Sequence, residues 1–176
     1  MSGANMELKK IIEALLFVSQ GPLKLETIVE ITEKSADEVN RAISELKNAC
    51  EEKDLPIQII EIAGGGQFST KRDFAPFIRK LFKEETTLKL SSSALETLAI
   101  VAYKQPITRA EIEQVRGVEV SAVIKTLVEK NLVRTCGKKD TVGTPFLYGT
   151  TQQFLIYFGL KSTDELPSLE EINVEE

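Results

Sequence analysis

Apolar residues recur at helical spacing along most of the chain. Leu95, Leu98, Ala99 and Ala102 fall at i, i+3, i+4 and i+7, one stripe of a helix. Ser93-x-x-Glu96 supplies a capping box at its start. Pro106 ends it, since proline has no amide hydrogen and its ring clashes with the preceding turn. Thr108-x-x-Glu111 opens a second helix as another capping box, Ile107 stapling to Ile112, and Gly117 stops it in the left-handed conformation. Two short helices about a tight turn are the front of a helix-turn-helix. Upstream, the same reading predicts helices over residues 6–20, 25–31 and 35–53. The first carries Ile11, Ala14, Leu15 and Val18 on one side, and the third is capped by Ser35-x-x-Glu38. Residues 57–62 alternate as a strand, Gly64-Gly65-Gly66 turns the chain, 67–70 return, and a helix over 74–82 packs Phe74, Phe77, Ile78 and Leu81.

The pattern repeats. Shifted by 84 residues, Ile11 meets Leu95, Val18 meets Ala102, Pro22 meets Pro106, Ile28 meets Ile112 and Ile43 meets Leu127, with no gap. The second copy continues as strand 132–136, a glycine- and proline-containing turn, strand 146–149 and a helix capped by Thr150-x-x-Gln153. Three helices and a β-hairpin are the winged-helix arrangement, so the expected fold class is α+β, mostly helical, with two tandem winged-helix domains. Residues 1–5 are set apart as a disordered start, 6–82 form the first domain, 83–90 a linker, 91–160 the second domain, and 161–176 an acidic, disordered tail. In each first helix two apolar residues lie off the stripe, Ile100 and Val101 in one copy and Leu16 and Phe17 in the other. Apolar character around a helix means burial on more than one side. Leu16 and Phe17 are therefore candidates for dimerisation, and a charge at either is expected to give folded monomers.

Charge and chemistry narrow the function. The chain has no histidine, which removes the commonest general base and metal ligand. No catalytic constellation, cofactor motif or metal cluster is found. The triple glycine lacks the Lys-Ser/Thr and helix start of a phosphate loop. Cys50 and Cys136 stand alone and fit a reducing cytoplasm. No leader and no membrane-spanning run is expected. Net charge is −5, but six acids and no base lie from Ser162 onward, leaving 22 bases against 21 acids before it. The third helices are acidic or sparsely charged and lack the Arg, Asn and Gln that read base edges. Bases in the second wing, Arg134, Lys138 and Lys139, allow at most a weak nonspecific phosphate contact. A winged-helix DNA-binding transcriptional regulator is the alternative function.

LETLAIVAYKQPITRAEIEQVRGV, LVEKNLV, LYGTTQQFLIYFGL and DELP resemble, in order and spacing, the segregation and condensation protein B family (ScpB). The likeness spans residues 6–167 and is strongest over 90–160; IIEALLFVSQGPL and GGGQFSTK add to it. One departure is Gly143-Thr144-Pro145, where the family pattern has Gly-Arg-Pro. The resemblance implies a non-enzymatic subunit with two winged-helix domains. It implies dimerisation largely through the first domain and a grip on the middle of the kleisin ScpA. ScpA bridges the SMC ATPase heads in chromosome condensation and segregation, in the cytoplasm at the nucleoid. Motif position makes Tyr103, Lys104, Gln105, Arg109, Arg116 and Tyr148 the candidate kleisin-binding residues.

Overall fold

The structure is a computed structural model and describes residues 7–81 and 90–168. The expected start at 1–5 and residues 83–89 of the expected linker lie outside the described residues. The chain divides into two compact units, Met1–Thr87 and Leu88–Glu176.

In the first unit, α1 (Leu8–Val18), α2 (Leu25–Thr32) and α3 (Ala36–Glu52) precede an antiparallel hairpin, β1 (Ile57–Ile62) with β2 (Gly65–Thr70), and a short α4 (Ala75–Leu81). Ser35 and Glu38 cap α3 reciprocally. Ile12, Leu16, Ile28, Val39, Ala42, Leu46 and Ile59 form one buried cluster. Each large aliphatic side chain there is worth about 1.5–3 kcal/mol. The glycines serve this packing. Gly64 takes a positive φ of 73° in the hairpin turn. The Leu23 amide donates to the Gly66 carbonyl at 2.8 Å, and the Gly66 amide donates back to Leu23 at 2.9 Å. A Cβ on Gly65 would sit 2.8 Å from the Leu23 carbonyl oxygen. Backbone cannot yield as a side-chain tip can, so Gly65→Ala is expected to cost about 1–3 kcal/mol; an unchanged thermal midpoint would contradict this close approach.

In the second unit, α5 (Ser92–Lys104), β3 (Ile107–Thr108), α6 (Arg109–Arg116) and α7 (Ser121–Glu129) are followed by β4 (Val133–Lys138), β5 (Phe146–Thr150) and α8 (Gln152–Phe158). The sheet order is β3-β5-β4, with Ile107 opposite Tyr148 and Val133 opposite Thr150. The residue after the proline thus pairs with the returning strand in both units, Leu23 with Gly66 and Ile107 with Tyr148. Thr108 and Glu111 cap α6 reciprocally, Ile107 and Ile112 are both buried, and Gly117 ends α6 at φ 68°. Two caps fall elsewhere than expected. Ser91, not Ser93, accepts the α5 amide of Ala94, and Thr151, not Thr150, accepts that of Phe154.

The larger correction concerns which faces of α1 and α5 turn inward. In α1, Ile12 and Leu16 are buried while Val18 is exposed. In α5, Ala94, Leu98, Val101 and Ala102 are buried while Leu95 and Ala99 are exposed. Both helices are apolar nearly all round, so periodicity alone could not fix their phase. The expected packing of α4 also differs: Phe74, Phe77 and Leu81 are exposed within the unit. Of the tail expected to be disordered from 161, residues 161–168 are described and include a 3₁₀ turn at Thr163–Glu165, with Leu166 packed on the core and Ser162 capping the turn. Residues 169–176 lie outside the described residues.

Candidate functional site

The six candidate residues of the second unit do not converge on one point. Tyr103, 36% exposed at the end of α5, lines two adjoining cavities; Gln105 lines one of them. Arg109 and Tyr148 line another, of about 310 Å³, with Ala110, Pro145 and Phe146. Lys104 is exposed. Gln105 and Arg116 are turned to structural work. The Gln105 Oε1 accepts from the Thr150 amide at 2.7 Å and from its hydroxyl at 3.0 Å, clasping the end of α5 to β5. Gly149 leaves room for that amide group, since a Cβ there would lie 2.9 Å from the Gln105 Oε1. The Arg116 guanidinium donates to the Ser93 carbonyl at 2.8 Å and to the Thr97 hydroxyl at 2.5 Å, and pairs with Glu96 at 2.9 Å. Its side chain is only 13% exposed. Arg109 is more open, donating to the Ser121 hydroxyl at 2.8 Å.

In the first unit, the two dimerisation candidates part company. Leu16 is 2% exposed and belongs to the core; Phe17 is 85% exposed, beside exposed Val18. A charge at Leu16 therefore tests the core, and the surface hypothesis falls on Phe17. Phe77 and Leu81 of α4 are further exposed apolar residues that the sequence reading had assigned to packing.

The basic residues of the β4–β5 hairpin are engaged within the chain. Arg134 donates to the Thr150 carbonyl at 3.3 Å, Lys138 lies over the Phe146 ring at 5.2 Å, and Lys139 pairs with Glu111 at 2.6 Å. That Lys139 contact, with hydrogen bonds from the amide and hydroxyl of Thr108, lowers the Glu111 carboxyl to about 2. A depressed acid stabilises the fold above the ordinary carboxylate value and stops doing so as pH falls from there towards 2. The Glu111 carboxyl should thus titrate near 2 by carbon NMR and move upward in Lys139→Ala. A wild-type midpoint at the ordinary value would contradict the contact.

Beside Tyr103, the exposed side of α5 forms one wall of an apolar groove of about 370 Å³. Leu95 and Ala99 line it from α5, Phe154 and Phe158 from α8, and Leu160, Leu166 and Pro167 from the segment that follows. Leu95 is 43% and Phe158 44% exposed. The geometry suits an apolar side chain of another segment. Among the described residues no group of three or more potential ligands could hold a metal ion, and no helix is long and apolar enough to cross a membrane.

Comparison with known proteins supplies the family. A model described as segregation and condensation complex subunit ScpB matches residues 10–169. Segregation and condensation protein B of Geobacillus kaustophilus is 44% identical over 171 residues, 97% of this chain and 79% of the relative. That of Clostridium botulinum is 43% identical over 164 residues, 93% and 85% of the two chains. Among solved structures, ScpB from Mycobacterium tuberculosis is 34% identical, covering 91% of this chain and 99% of that one, with a TM-score of 0.43. A dimer of an ScpB N-terminal domain complexed with an ScpA peptide is 36% identical, covering 42% of this chain and 91% of that one, with a TM-score of 0.39. The superpositions are too loose to contribute, but the sequence matches run nearly the whole length. The chain belongs to the ScpB family of segregation and condensation complex subunits.

Proposed function

We propose that the protein is a non-enzymatic architectural subunit that, as a dimer, holds the kleisin ScpA within an SMC complex for chromosome condensation and segregation. The family match over residues 10–169 carries this reading. An ScpA peptide is what the related N-terminal domain dimer is described as holding. In this reading the two units are tandem winged-helix domains, each with its hairpin as the wing, working in the cytoplasm at the nucleoid. The first unit dimerises through surface that includes Phe17. The second presents Tyr103, Lys104, Arg109 and Tyr148 to ScpA, while Gln105 and Arg116 hold that surface in place.

Two features support protein over DNA as the partner. Apolar side chains stand exposed at the end of α1, on α4 and along α5, and soluble proteins expose such surface where something binds. The hairpin bases that a phosphate backbone would need already have partners in the chain. A salt titration separates the readings. Binding of the ScpA middle segment should change little between 50 and 200 mM salt, whereas phosphate-driven DNA binding falls by orders of magnitude. Salt-sensitive duplex binding without ScpA capture would replace this function with that of a DNA-binding regulator.

A further inference from the structure

The β4–β5 hairpin reaches past the strand that joins it to the rest of the second unit. β3 is two residues long, and its ladder with β5 ends at Thr108 opposite Leu147. The hairpin continues through Lys138 opposite Phe146, and the Lys139 amide then donates to the Pro145 carbonyl at 2.9 Å. A register shift between Thr135 and Gly137 marks a bulge in β4 before this distal part. Bulges bend a strand and re-aim the side chains beyond them. Past this one, Lys138 lies over the Phe146 ring, and the Lys139 ammonium meets the Glu111 carboxylate of α6 at 2.6 Å.

Both oxygens of Glu111 are engaged. Its Oε2 accepts from the Thr108 amide at 2.8 Å and hydroxyl at 2.7 Å, while Oε1 takes Lys139. One carboxylate thus joins the first turn of α6 to the distal hairpin. The cavity of about 310 Å³ lies between the same two parts, with Arg109 and Ala110 from α6 and Pro145, Phe146 and Tyr148 from the hairpin. Tyr148 is fixed by its pairing with Ile107, but Pro145 and Phe146 lie beyond the β3 ladder. Lys139 and Glu111 remain 44% and 41% exposed. An ion pair so open adds little to global stability, so its leverage is on local position.

We propose that Lys139 and Glu111 are positioning residues for the partner surface of the second unit. Their ion pair holds Pro145 and Phe146 against α6 and so keeps the shape of the cavity that Arg109 and Tyr148 share. This rests on the reading of Arg109 and Tyr148 as residues presented to ScpA. It adds that Lys139 acts through Glu111 and not by touching the partner.

A double-mutant cycle on affinity tests it. Glu111→Gln still completes a capping box but carries no charge, and Lys139→Met keeps an unbranched stem without the ammonium. In the full chain, each should weaken binding of the ScpA middle segment roughly threefold. The double variant should bind no more weakly than either single one, because the second change removes nothing that the first left. Lys139→Arg, which keeps the charge, should restore affinity. Additive losses, or a loss confined to one of the two single variants, overturn the positioning role. No loss in either, while Arg109→Ala or Tyr148→Ala weakens binding at least tenfold, overturns it as well but leaves the cavity residues as partner contacts. If Arg109→Ala and Tyr148→Ala, folded by circular dichroism, also bind unchanged, the assignment beneath this inference fails.

Discussion

On the proposed function, Phe17→Glu should convert the dimer into a folded monomer, whereas Leu16→Glu, one residue earlier, should unfold the first unit. The two positions are adjacent in sequence but opposite in environment. Phe17 is 85% exposed, so its charge meets water in the monomer and is buried only where a partner covers it. Leu16 is 2% exposed, within the cluster that joins α1 to α2, α3 and β1. Replacing it forfeits about 1.5–3 kcal/mol of apolar burial. It also forces a carboxylate to be desolvated or protonated, which costs further. Together these approach the 5–15 kcal/mol by which a whole domain is stable. Light scattering gives the mass and circular dichroism the fold. A Phe17→Glu protein that stays dimeric would move the interface elsewhere, with Phe77 and Leu81 of α4 the next positions to charge.

Arg116→Ala should lower the stability of the second unit by about 2 kcal/mol, because its guanidinium is donor to the Ser93 carbonyl and to the hydroxyl of Thr97, which is fully buried. For a domain of this size that moves the thermal midpoint by roughly 10 °C. Lysine is a poor substitute, since one ammonium cannot reproduce the planar fork that reaches Ser93, Thr97 and Glu96 together. ScpA affinity measured well below the transition should stay near the wild-type value. A tenfold loss of affinity at an unchanged midpoint would instead make Arg116 a direct partner contact.

Much of the fold could be read from residues whose local chemistry has a single solution. Thr108 with Glu111 and Ser35 with Glu38 form their capping boxes, and Gly117 takes the left-handed conformation. The 84-residue echo is visible in three dimensions as well: α2 spans Leu25–Thr32 and α6 spans Arg109–Arg116. What could not be read depended on tertiary packing. The phase of α1 and α5 was ambiguous because both are apolar on several sides: Leu98 and Ala102 face inward as expected, but Val101 takes the place expected of Leu95 and Ala99, and Ile12 and Leu16 are the buried residues of α1. Once Val101 is placed in the core, the surplus apolar surface becomes Leu95, Ala99 and Tyr103, the side that borders the groove. Motif position marked Gln105 and Arg116 without saying which way they turn, and long-range hydrogen bonds to Thr150 and Ser93 decide that. The packing of residues 161–168 went unseen because their acidic composition conceals one residue that reaches the core, Leu166.

Mass measurement in solution, on the protein alone and mixed with the middle segment of ScpA, decides whether the chain is a dimer that holds ScpA. The protein alone should show twice the chain mass. With ScpA it should form a discrete complex containing both proteins, and that complex should persist as salt is raised. A chain that is monomeric and leaves the ScpA segment unbound at every salt concentration would contradict it.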